Sequence, residues 1–117
     1  MKPPTITIAN RDELFIVNLH SVAYFKAEGH YTNVFYLNGT KLLVPSGLSK
    51  LHEKILSVGG MEDRFVPMGR SLLVNRREIC SLNPIKETML LCGTHGQMIQ
   101  VHVPKSVLRA VMKDYFG

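Results

Sequence analysis

The chain has no tryptophan, two cysteines and nine acidic residues in 117. It also lacks any long apolar run: nothing approaches the roughly 18 residues a membrane-spanning helix requires. The opening stretch "MKPPTITIANRDELF" has no apolar core of the kind a secretory signal needs, so the expected compartment is the cytoplasm, away from any membrane. Cys80 and Cys92 match no zinc or redox spacing, and each lies in an apolar stretch, "REICSL" and "LLCGT". Buried reduced thiols are the expectation, with a disulfide as the lesser alternative. The five histidines form no H-x-x-x-H or H-E-x-x-H pair, which argues against a metal site. Carboxylates are scattered without catalytic spacing, no His-Asp constellation is evident for Ser71, and no glycine-rich phosphate loop occurs. An enzyme, a bound cofactor and a small-molecule substrate are therefore not expected.

What is present is an ordinary globular composition, 45% hydrophobic, long enough for one domain with its own core over residues 1–117. Charge is uneven. Residues 1–63 balance, whereas residues 64–113 carry eight basic side chains against only Glu78 and Glu87. That excess points to a polyanionic partner, although a merely soluble surface would look similar.

Short β-branched or aromatic runs dominate: "TITI", "ELFIVN", "SVAYFKA", "YTNVFYL" and "TKLLV" in the first half, then "RFVPM", "SLLVN", "ICSLNPI", "TMLLC" and "QMIQVHV". They predict about ten strands in an antiparallel, mostly β fold. Asn38-Gly39 reads as a type I′ hairpin turn, and "GTHG" as a second hairpin loop. A helix is expected near residues 47–57, where Leu48, Leu51, Ile55 and Leu56 make one stripe, with Ser46 as its cap and Gly59-Gly60 closing the region. A C-terminal helix is expected after Pro104, with Val107, Leu108, Val111, Met112 and Tyr115 on one side.

Three stretches in order, "AEGHYTNVFYLNG", "GLSKLHEKI" and "FVPMGRSLLVNRREI", resemble the LytTR family of bacterial DNA-binding domains. Phe65, Arg70, Ser71, Val74, Asn75 and Ile79 occupy the last motif at the family's spacing. The resemblance spans about residues 5–112. It implies an elongated, multi-sheet fold of about ten strands, and a transcriptional regulator of duplex DNA. Family members bind through loops inserted into successive major grooves, commonly with two copies on direct-repeat promoter sites. Most are output domains of response regulators. This chain resembles the stand-alone form without a receiver, unless it is an excised fragment.

The resemblance implies contacts in three places. The first is the strand entry His30 and Tyr31, with Asn33 as an even choice between base contact and local backbone support. Imidazole, phenol and amide all hydrogen-bond to base edges or phosphates, although a glycine turn with a packed tyrosine is the plain alternative. The second is Arg70 with Ser71, where a guanidinium fork next to Gly69 suits guanine O6/N7 or phosphate. Arg76 and Arg77 follow as phosphate contacts, equally explained as a solvated turn, while Asn75 is assigned to structure. The third is Lys105 with Ser106, where a lysine suits a phosphate better than bidentate base readout. Pro67, Gly69 and Lys26 depart from the family's usual arginine, histidine and acid. They leave open a second reading, a protein-interaction module that kept the fold and lost specific DNA readout.

Overall fold

The β-branched and aromatic runs form ten strands in the computed structural model, which describes residues 3–116. In chain order these are β1 (Thr5–Ala9), β2 (Leu14–Asn18), β3 (Val22–Glu28), β4 (Tyr31–Tyr36) and β5 (Lys41–Val44), followed by helix α1 (Leu48–Leu56). Then come β6 (Phe65–Met68), β7 (Leu72–Asn75), β8 (Ile79–Asn83), β9 (Thr88–Cys92), β10 (Met98–His102) and helix α2 (Lys105–Phe116). All pairings are antiparallel, in a two-stranded sheet β1-β2, a five-stranded sheet β5-β4-β3-β7-β6 and a three-stranded sheet β10-β9-β8. The molecule is elongated, 44 × 30 × 25 Å.

The five-stranded sheet is the middle layer, which explains why its strands do not alternate between greasy and wet. Successive side chains point to opposite faces, and both faces are covered. Phe25, Val34, Val44 and Leu73 pack with Leu51 and Ile55 of α1 and with Ile6, Ile8 and Val17 of the β1-β2 hairpin. Tyr24, Leu72 and Val74 pack on the other side with Met89, Leu91 and Val101 of the three-stranded sheet and with Leu108 of α2. The Tyr24 ring stacks on Phe35 at 4.4 Å, and burial raises the pKa of its phenol. Fully burying a side chain such as Phe25 contributes about 1.5–3 kcal/mol, so this strand anchors two cores at once.

Several local expectations change. The Asn38-Gly39 hairpin exists, but only Gly39 takes a positive φ, 90°. The amide of Gly39 bonds to the Tyr36 carbonyl and that of Tyr36 to Thr40, giving a three-residue loop in place of a type I′ turn. Gly47, not Ser46, precedes α1, without a side-chain cap, and the helix ends at Leu56 with Ser57 as its C-cap, ahead of Gly59. The cysteines are neither buried nor reduced: both are exposed and form a disulfide, with Cα atoms 6.1 Å apart. Met89 and Leu91 turn inward, so strand alternation sends Cys92 out. Cys80 is the extra residue of a bulge between the Ile79–Leu91 and Ser81–Leu90 pairs, and this brings it to the same surface.

Asn75 is structural, as its position in the motif suggested. It is fully buried; its amide nitrogen donates to the Val22 carbonyl at 2.8 Å, and its oxygen accepts from Arg64 Nε at 2.9 Å and the Arg77 amide at 3.2 Å. Burial, reinforced by Arg77, lowers the pKa of the Arg64 guanidinium, while Glu78 acts the other way. The two larger sheets also meet at Gly93, where a Cβ would lie 2.8 Å from the Leu37 carbonyl and 2.9 Å from that of Gln97. Asn75→Ala should lower the unfolding free energy by about 2–4 kcal/mol, because it strands a buried carbonyl and a half-buried guanidinium. Gly93→Ala should cost about 1–3 kcal/mol by overpacking. Urea denaturation checks both, as a lower midpoint at unchanged slope.

Candidate nucleic-acid interface

Antiparallel pairing of β3 with both β4 and β7 gathers loops from distant parts of the sequence. Glu28 pairs with Tyr31, which leaves Gly29 and His30 as a two-residue hairpin tip. Only Gly29 of the two has positive φ, 61°, the pattern of a type II′ turn, which takes glycine in its first central position. On the other side of β3, Lys26 pairs with Leu72 and the Ala27 amide bonds to the Ser71 carbonyl at 2.8 Å. The β6–β7 loop, Gly69, Arg70 and Ser71, therefore stands beside the β3–β4 tip.

The last pair of β5, Val44 with Thr32, brings Pro45, Ser46 and Gly47 to the same end. The Thr32 hydroxyl fastens that corner by donating to the Ser46 carbonyl at 2.7 Å. A cleft of about 460 Å³ results, lined by His30 and Arg70 together with Ser46, Gly47, Ser49 and Lys50. Arg70 also borders a second cleft, of about 350 Å³, with His52 and Pro67. The start of α2 approaches from the other layer: a Cβ at Gly69 would lie 3.7 Å from Val107. Lys105 and Ser106, both exposed, thus flank the Arg70 loop.

His30, Tyr31, Arg70, Ser71, Lys105 and Ser106 are all exposed, and none makes a side-chain hydrogen bond among the described residues. They are free to bind something else. Two carboxylates share this region, and each has a structural partner. Glu28 accepts from the amide of Asn33, and Glu87 accepts from the Lys105 backbone amide at 2.7 Å, capping α2.

Three of the residues singled out from sequence do not join the group. Asn33 is 9% exposed and its amide nitrogen is engaged by Glu28. Arg76 and Arg77 lie past the other end of β7, about 13 Å along a four-residue strand. There the Arg76 guanidinium sits 5.4 Å from the centre of the Tyr115 ring. Conversely, Lys50 and the uncapped first turn of α1 belong to the cleft although sequence gave them no role. Free first-turn amides and a lysine suit an anion. Only the register of β5 on β4 reveals that they are near His30.

No trio of His, Cys, Asp or Glu among the described residues could hold a metal ion. No described helix is long and apolar enough to cross a membrane. A family model, that of the LytTr DNA-binding domain, matches residues 12–114. Among solved structures the chain is similar to a LytTr DNA-binding domain from Bacillus cereus, at 23% identity over 99% of both chains with a TM-score of 0.59. No curated protein matches it.

Because these side chains hold nothing in the fold, His30→Ala and Arg70→Ala should each change unfolding free energy by less than about 0.5 kcal/mol. Urea denaturation of the two variants measures this, and a loss above about 1 kcal/mol would mark either residue as structural.

Proposed function

The chain belongs to the LytTr DNA-binding domain family, and from that premise we propose that it is a sequence-specific duplex-DNA-binding transcriptional regulator whose loops enter successive major grooves. The observation that carries the reading is the convergence of exposed, unengaged side chains from the β3–β4, β6–β7 and β10–α2 connections at one end. In this account Arg70 reads a base, because its fork matches guanine O6 and N7. His30 and Tyr31 bond to base edges or to phosphates on either side. Ser71, Lys105, Ser106 and Lys50 hold the backbone, which sets register without reading sequence. Two copies on a direct repeat would double the contact area. Arg76 and Arg77, at the far end of β7, have no part in the core contact.

The Pro67 and Gly69 positions give the alternative its footing, since neither offers a side chain capable of hydrogen bonding from the β6–β7 hairpin. A protein-interaction module would co-purify with a stable protein partner and retain no DNA.

Affinity for duplexes selected from random DNA should fall steeply between about 50 and 200 mM salt, as phosphate-bound counterions are released. Arg70→Ala should cost about 1–3 kcal/mol at the base it reads and flatten preference there. Arg77→Ala should leave affinity within about twofold. No binding at low salt, or a flat salt response, would overturn the proposal.

A further inference from the structure

The disulfide lies at the opposite end of the molecule from the DNA-facing loops and serves no purpose in that reading. Cys80 sits in the β8 bulge, two residues after the turn Arg76–Glu78. It lines a cleft of about 370 Å³ with Arg76, Ser81, Leu82, Met112 and Tyr115, between β8 and α2. Cys92 ends β9, one residue before Gly93, whose backbone is packed against Leu37 and Gln97. Both cysteines are exposed. Exposed bridges exchange readily with solvent thiols, whereas buried structural ones resist. The Cα separation of 6.1 Å lies within the range a disulfide spans, so closing and opening need no large backbone movement.

We propose that Cys80–Cys92 is a reversible thiol–disulfide exchange site for a small carboxylate-bearing thiol, attacked at Cys80. The incoming thiolate enters the cleft and bonds to Cys80 Sγ as the bond to Cys92 Sγ breaks. Cys92 leaves as a thiolate, which water stabilises at the surface and protonates. A second thiolate then attacks the sulfur of the first thiol, releasing the small-molecule disulfide, and Cys80 takes up a proton. Overall two small thiols are oxidised and the bridge gains two electrons and two protons. The Arg76 guanidinium, held over the Tyr115 ring at the cleft, favours an anionic thiol on approach. The site is independent of DNA binding.

The test uses the native full-length protein in glutathione buffers of graded reduced-to-oxidised ratio, quenched by alkylation and read by intact mass. The bridge should open and close with the ratio without denaturant. In Cys92→Ser, oxidised glutathione should add to the free Cys80 thiol, releasing reduced glutathione, roughly tenfold faster than to Cys92 in Cys80→Ser. Arg76→Ala should slow the reaction of glutathione with Cys80 but not that of uncharged 2-mercaptoethanol. Thiols that alkylate independently at every ratio would overturn the proposal, as would a bridge reducible only after unfolding. Equal addition to the two cysteines would overturn the assignment of Cys80 as the attacked sulfur. An unchanged or uniformly slowed rate in Arg76→Ala would overturn the preference for an anionic thiol.

Discussion

Antiparallel pairing of β3 on both of its edges is the constraint from which the rest of the molecule follows. Glu28 at its end meets Tyr31 of β4, and Ala27 meets Ser71 at the start of β7. Two loops forty residues apart are thereby locked side by side. Because Tyr24 and Phe25 are buried on opposite faces, β3 is anchored in both cores at once. A one-residue slip would exchange those faces, at the cost of both cores. The β3–β4 tip inherits its precision from that cost.

Much of this was legible in the residues. The strand positions were, because β-branched runs broken by turn residues carry their own signal. The run "YTNVFYL" is apolar on both faces, with Val34 and Phe35 adjacent, and the two pack into different cores. Turn detail was less legible. Asn-Gly announced a hairpin, but loop length depends on which residues pair, and Tyr36 pairs across to Thr40. The cysteines were less legible, because their apolar neighbours mask the alternation of the strand. Met89 and Leu91 already claimed the inward face of "TMLLC", and the bulge that aligns Cys80 with Cys92 is a property of register.

The candidate interface was legible in part for a similar reason. Arg70 and Arg76 are close in the motif, yet the strand between them carries them to opposite ends. Lys50 is far from His30 in sequence, yet lines the same cleft. Sequence proximity misjudges both. Asn33 had an even choice between base contact and support, and Glu28 claims its amide. Pro67 stands on β6, an edge strand of the five-stranded sheet, where the missing amide is tolerated. With Pro67 and Gly69 offering no hydrogen-bonding side chain, Arg70 is the cation of that hairpin, and Lys50 and Lys105 approach it from two other elements.

The central claim is that DNA is met by the end of the molecule that carries the β3–β4 and β6–β7 loops and not by the end that holds the disulfide. Backbone amide chemical shifts, followed by NMR as a selected duplex is added, test it most directly. The account predicts perturbations concentrated at residues 29–31, 46–50, 69–71 and 105–106, with residues 76–80 and 92–97 unmoved. Perturbations centred on residues 76–80 and 92–97, with the β3–β4 tip silent, would contradict it.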